Sequence, residues 1–209
     1  GQTELSPVVT QHHHNDSIED ICNNVGQPMP QTEISIRDVA DNKVLPIDTV
    51  GEICTRGYCK MIEYNNNPEA TAETIDADGW LHSGDLGAMD ARGYVRVTGR
   101  VKEMIIRGGE NMFPAEIENL LVEHPSVAEA AVVGLPDDKW GEVIACFARP
   151  EPGEMIDPQA LRAFCRSHLA AQKTPTVWFS VSEYPLTGSG KVQKFALRDG
   201  VAAGNYDPL

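Results

Sequence analysis

Basic residues are scarce in this chain. Seventeen lysines and arginines stand against 31 aspartates and glutamates in 209 residues, a formal charge of -14. A surface of that sign repels phosphodiester backbones and anionic bilayers, which argues against non-specific nucleic-acid or membrane binding. Long apolar runs are absent too: nothing approaches the ~20 residues of a membrane span, and no charged-then-apolar signal segment opens the chain. A soluble protein is expected. The five cysteines, Cys22, Cys54, Cys59, Cys146 and Cys165, are odd in number and lack C-x-x-C spacing, which suggests neither a disulfide framework nor a zinc site, and fits a reducing compartment. No internal repeat or low-complexity tract occurs. An initiator methionine is missing as well; the opening GQTELSPVV reads as a piece cut from something longer.

One familiar motif is excluded by spacing. EYPLTGSGKVQK, residues 183 to 194, sets Lys191 behind Gly190, but the first glycine of a phosphate loop is replaced by Pro185 and the magnesium-binding hydroxyl by Val192. On its own Lys191 reads as a solvated surface charge.

What is present divides in two. From residue 26 to 100, EISIRDV, GEICTRGYC and GYVRVTG alternate in period two between the turn clusters NNNP, DADG and DARG, the pattern of a mainly β region. After Arg100 the pattern becomes mixed. A helix is predicted to open at Pro114, carry Ile117, Leu120 and Leu121 on one face, and be ended by Pro125. A second has Asp157 as N-cap and Pro158 at its first position, then Leu161, Phe164, Cys165 and Leu169 at helical spacing. VAEAAVVG, VIACFAR and TVWFSVSE read as strands. The boundary between the regions is placed near residues 100 to 102.

The densest cluster of polar candidates is HSGDLGAMDARGYVRVTGRVKEMIIRGGENMFPAEIE, residues 82 to 118. Asp85, read as a carboxylate in a tight glycine turn, could accept two hydroxyl hydrogen bonds as a ribose requires, or could satisfy its own backbone. Arg100 could bond the same sugar or a phosphate, or be a surface strand end. The glycine pair of RGGEN would let a thin ligand approach the backbone ahead of a helix N-terminus, or be a simple turn. In TELS, Thr3 and Glu4 suit a phosphate oxygen and a magnesium ion, or a cap or turn. His12 to His14 cannot all face one ion on regular structure and are read as a solvated loop; Trp140 is read as a half-buried packing residue.

Taken together and in this order, GQTE, HSGD, GYVRVTGRVKEMIIRGGENMFPAEIE and PLTGSGKVQK resemble the adenylate-forming superfamily of acyl-CoA synthetases, luciferases and peptide-synthetase adenylation domains. RGYCKMIEY and IIRGGENMFPAEIE look most like fatty acyl-CoA ligases. The resemblance covers essentially the whole chain. It implies an α+β fold: residues 1–101 as the β-rich end of a large AMP-binding domain, including a small barrel part, and 102–209 as a small α+β lid domain. The implied reaction joins a medium- or long-chain fatty acid, ATP and coenzyme A, through an acyl-adenylate, to acyl-CoA, AMP and pyrophosphate.

By the same resemblance Thr3 contacts phosphate, Glu4 binds Mg2+, Asp85 holds the ribose hydroxyls and Arg100 the nucleotide. Lys102 is the hinge, Lys191 serves the carboxylate and α-phosphate, and Arg107, Gly108, Gly109 and Glu110 line the pantetheine passage. The family's phosphate loop, the aromatic residue before Gly1 and most of the acyl pocket lie outside this sequence, so the chain alone is expected not to catalyse adenylation. Thr176, after Lys173-Thr174-Pro175, stands where many relatives carry a basic residue, which leaves the CoA phosphate contacts open. Rival readings are a peptide-synthetase adenylation domain loading a carrier protein and a non-catalytic nucleotide-binding or interaction fragment. A cytoplasmic location is expected, with the mitochondrial matrix as the alternative.

Overall fold

A computed structural model describes all of residues 1 to 209. The chain divides into two compact units, Gly1–Lys102 and Glu103–Leu209.

The first unit is built on an antiparallel meander. Strands β3 (Thr32–Arg37), β4 (Gly51–Gly57), β5 (Leu81–Met89) and β6 (Val95–Arg100) pair in sequence order, so the part expected to be a small barrel is a four-stranded sheet with β3 and β6 at its edges. Two short strands, β1 (Thr10–Gln11) and β2 (Gln27–Pro28), form a separate ribbon. Alternation of side chains across the sheet sends Ile36, Ile53 and Val95 into one apolar cluster, while Leu5, Val9, Cys59 and Leu81 form a second. Helix α1 (Ile18–Asn23) is capped by Ser17, whose Oγ accepts from the Asp20 amide at 3.0 Å. The NNNP cluster, read as a turn, starts a helix instead: Asn67 caps α2 (Pro68–Thr74) and Pro68 supplies its first residue, where a missing N–H costs nothing.

The second unit packs helices on both faces of a mixed sheet. Its centre is β10 (Gly141–Pro150), antiparallel to β9 (Val127–Asp137) along its length and parallel to β11 (Val177–Ser180) on its other side. Ile144, Cys146 and Ala148 point to one face, and Ala145 and Phe147 to the other. Both faces are covered, which is why VIACFAR reads as an unbroken apolar run. Helices α3 (Pro114–Leu121) and α4 (Pro158–His168) supply Ile117, Leu121, Leu161 and Cys165 to the first face; α5 (Lys194–Ala202) supplies Leu197 to the second. The expected caps of α4 are present, Asp157 accepting from the Gln159 amide at 2.8 Å. Helix α3 ends at Leu121, short of Pro125, because Glu123 and His124 turn back onto Leu120 and Leu121. All five cysteines are free, and only Cys22 is exposed.

Candidate functional site

Asp85 lies within a strand rather than in a turn. Three residues of β5, Ser83 to Asp85, stand opposite the single Ile53 of β4, and Gly84 takes a φ of 72° to make the bulge. The extra residues turn Asp85 toward its register partner Arg100, whose Nε is 3.3 Å from Oδ1. Ser83 Oγ accepts from the Asp85 amide at 3.0 Å, so the bulge is held by a side chain of the motif itself. Asp85 lines a largely apolar cleft of about 70 Å³ together with Gly1, Gln2, Leu5, Thr55 and Val97. The Thr55 hydroxyl, fully buried there, has no partner.

Behind the bulge lies a polar group that the sequence reading passed over. Glu52 accepts from the Gly84 amide through Oε1 at 2.9 Å, and its Oε2 is 2.7 Å from His82 Nδ1. Cys54 Sγ is 3.5 Å from the same Nδ1, and His82 Nε2 is 3.6 Å from Asp76 Oδ2. Burial, with the Glu52 carboxylate next to it, pushes the Cys54 thiol up to about 12. The alternation in GEICTRG was the available signal: it sets Glu52 and Cys54 on one face of β4.

Thr3 and Glu4 sit in a 3-10 turn, Thr3–Leu5, that Leu5 anchors in the core. Tyr64 donates to Glu4 Oε1 at 2.9 Å, and that bond leads in pushing the Tyr64 phenol above its ordinary value. Oε2 of Glu4 remains for another partner, and Thr3 is exposed. Lys102 is exposed at the junction of the two units.

Arg107, Gly108, Gly109 and Glu110 form the turn of a hairpin between β7 (Ile105–Arg107) and β8 (Glu110–Met112), so the glycine pair does not open directly into α3. Positive φ at Gly108 and Gly109, 61° and 83°, is what the two-residue connection requires. Arg107 donates to the Gln172 carbonyl at 2.7 Å and lies 5.2 Å from the Trp140 ring centre; Gln172 donates to Glu110 at 3.4 Å. Trp140 is 43% exposed, a lid on the hairpin rather than a core residue, and a Cβ on Gly108 would come within 3.1 Å of its ring. Gln172 is a further residue of this surface, without a motif to announce it.

Lys191 closes a tight turn. The Thr187 amide donates to its carbonyl at 2.8 Å, Thr187 Oγ1 accepts from its amide at 3.1 Å, and Leu186 bridges Val192 beneath. Its side chain is exposed. Three lysines of the second unit meet different fates: Lys191 projects freely, Lys194 is held half-buried between Glu103 and Glu118 at 2.8 Å from each, and Lys173 is engaged by Glu116 at 2.7 Å. The histidines of His12 to His14 do not converge: His12 meets Asn24 at 2.9 Å and His13 meets Gln27 at 2.8 Å.

Comparison with known proteins places these segments. Residues 1–65 match the family described as AMP-binding enzyme, and residues 116–191 the AMP-binding enzyme C-terminal domain. YngI of Bacillus subtilis is 44% identical over 95% of this chain and 36% of its own length; the human mitochondrial medium-chain acyl-CoA ligase ACSF2 is 42% identical over 95% of this chain and 32% of its own. The chain thus spans about a third of the length of the curated relatives it matches. Among solved structures, ATP-bound MatB from Rhodopseudomonas palustris matches with a TM-score of 0.88 and 32% identity over 95% of this chain and 39% of that one. The o-succinylbenzoate CoA synthetase MenE from Bacillus subtilis, bound to its acyl-adenylate, matches with a TM-score of 0.83 and 33% identity over 96% of this chain and 40% of that one.

Proposed function

The chain belongs to the AMP-binding enzyme family, the adenylate-forming superfamily, and from that premise we propose that it is the C-terminal part of an ATP-dependent acyl-CoA synthetase acting on a medium- or long-chain fatty acid. Residues 1–101 are then the end of the large nucleotide-binding domain and 102–209 the lid domain. The observation that carries the reading is Asp85, a carboxylate turned out of a sheet by a bulge, beside an arginine and on the rim of a cleft.

The chemistry follows from the charges. Asp85 accepts the two ribose hydroxyls, and Arg100 fixes the carboxylate and adds a donor for the nucleotide. In the first step the fatty-acid carboxylate attacks the α-phosphate and pyrophosphate leaves; two anions must approach, and the Lys191 ammonium lowers that repulsion. Thr3 donates to a phosphate oxygen. Glu4, a hard oxygen donor with Oε1 fixed by Tyr64, fits a Mg2+ ion, which when bound would draw charge off the phosphates. In the second step the thiol of coenzyme A displaces AMP to give the thioester. Arg107, Gly108, Gly109 and Glu110 line the path of the pantetheine arm, where a glycine turn keeps the backbone surface thin. Lys102, at the junction of the units, is the pivot that lets the two steps use different residues.

No helix is long and apolar enough to cross a membrane. A cytoplasmic or mitochondrial-matrix location fits the acidic surface. The test is release of AMP by the full-length protein with a panel of carboxylic acids, ATP and coenzyme A. Coenzyme A-dependent AMP release that is greatest with medium or long acyl chains is expected; adenylate formation that ignores coenzyme A and loads a carrier protein would replace this reading with the peptide-synthetase one.

A further inference from the structure

The cysteine spacing of the sequence gives no metal site, but the fold assembles one from other residue types. Glu52 and Cys54, two apart on β4, share a face of the strand, and His82 is the register partner of Cys54 on β5. Two ligands at i and i+2 with a third across the ladder place three donor atoms on one point of a rigid sheet. Here one donor atom each of Glu52, Cys54 and His82 lie within 4.8 Å of one another, with His82 Nδ1 2.7 Å from Glu52 Oε2 and 3.5 Å from Cys54 Sγ.

We propose that Glu52, Cys54 and His82 bind a divalent cation of the zinc class, with Asp76 orienting the imidazole. This goes beyond the proposed ligase reaction and does not depend on it. Thiolate, imidazole and carboxylate together select zinc over the harder magnesium and calcium, and three protein ligands leave a fourth position for water.

The surroundings are those a metal site needs. A ligating histidine uses its second nitrogen on a carboxylate, and His82 Nε2 faces Asp76 Oδ2 at 3.6 Å. A ligating carboxylate is itself held, and Glu52 Oε1 accepts from the Gly84 amide at 2.9 Å, leaving Oε2 for the ion. Cys54 is fully buried, while the side chains of Glu52 and His82 are 12% and 21% exposed, so the ion has a way in. At present a proton joins Oε2 to Nδ1 across 2.7 Å. Coordination at about 2.0–2.3 Å per bond requires the imidazole proton to move from Nδ1 to Nε2, where it faces Asp76, releases the thiol proton to solvent, and widens the short Oε2–Nδ1 pair.

The experiment uses this chain with His12, His13 and His14 changed to alanine and Cys22 to serine, which removes the clustered histidines and the exposed thiol. Metal-stripped protein is titrated with Co2+, then with Zn2+, without oxygen. One equivalent of Co2+ should give a thiolate-to-cobalt charge-transfer band with tetrahedral ligand-field bands, and Zn2+ should abolish both. Cys54→Ser should lose the charge-transfer band. His82→Gln and Glu52→Gln, which keep size and polarity, should each weaken Zn2+ binding at least about tenfold, and Asp76→Asn about 10- to 100-fold. A chain giving no charge-transfer band overturns the proposal. So does a band that survives Cys54→Ser, or an affinity unchanged in His82→Gln and Glu52→Gln. If Cys54→Ser does not fold, the two glutamine variants, which keep the size and polarity of side chains that still reach solvent, decide the question.

Discussion

Asp85 and Arg100 are register partners across the last two strands of the first unit, and their side chains meet at 3.3 Å on the rim of a cleft. A strand pair fixes their separation, so neither side chain has to be gathered from a loop when a ligand arrives. In the full-length protein, Asp85→Ala removes a charged acceptor from two hydroxyls, at no more than about 1.5–3 kcal/mol for each such bond. The KM for ATP should rise about tenfold or more, with the melting temperature little changed. An ATP dependence equal to wild type would return Asp85 to a structural part in the bulge.

Lys191 is free at its tip and tied only through its backbone. Lys191→Ala in the full-length protein should slow pyrophosphate exchange by several orders of magnitude while leaving thioester formation from supplied acyl-adenylate nearly unchanged. An interaction made in one transition state raises only that barrier. Equal damage to both steps would make Lys191 a general electrostatic residue.

Gly109 separates two effects that a single substitution would confuse. Its φ is 83°, yet a Cβ there would meet nothing within 4 Å. Gly109→Ala should therefore cost about 1–2 kcal/mol of backbone strain, visible as a lower melting temperature. Gly109→Leu adds bulk in open space and should slow the coenzyme A-dependent step well beyond the alanine variant, with adenylation spared. If alanine and leucine variants behave alike in both steps, the turn is not part of the pantetheine path.

Lys194 tests the second unit. Burial disfavours its charge, but Glu118 and Glu103 more than offset this and raise its pKa above the ordinary lysine value. Lys194→Met leaves both carboxylates without their counter-ion and should destabilise residues 103–209 by about 2–4 kcal/mol in urea denaturation, toward the lower part of the range for broken buried pairs. The folded pKa is the raised one, so the stabilisation is complete below the unfolded lysine pKa and is lost as pH climbs through the folded value. Wild type should thus lose stability on the alkaline side, above the ordinary lysine range, and Lys194→Met should show no such loss.

Much of this was legible because it is local. Period-two alternation locates β3, β4 and β6, short apolar runs locate β9, β10 and β11, and Asp157-Pro158 announces α4 by its cap. What escaped was the part that depends on who sits opposite. SGD is turn-like in isolation; only pairing with β4, where Ile53 faces three residues, makes Asp85 part of a bulge. Gly108-Gly109 joins two strands of three residues each, too short to show alternation, so the pair reads with the following helix. Glu52 and His82 lie 30 positions apart, and no spacing rule joins them. Among the candidate residues, Thr3 and Glu4 lie together in one turn, Asp85 meets Arg100, and Arg107 to Glu110 share a hairpin.

The hydrogen-bond ladder of β10, flanked by β9 and β11 and covered on both faces, also sets a timetable for solvent exchange. Amides of residues 144 to 148 can reach deuterium only when the whole second unit opens, whereas the amides of Gly190 and Lys191 are held by bonds within one small turn. The lysine turn can therefore open without breaking a hydrogen bond of the sheet.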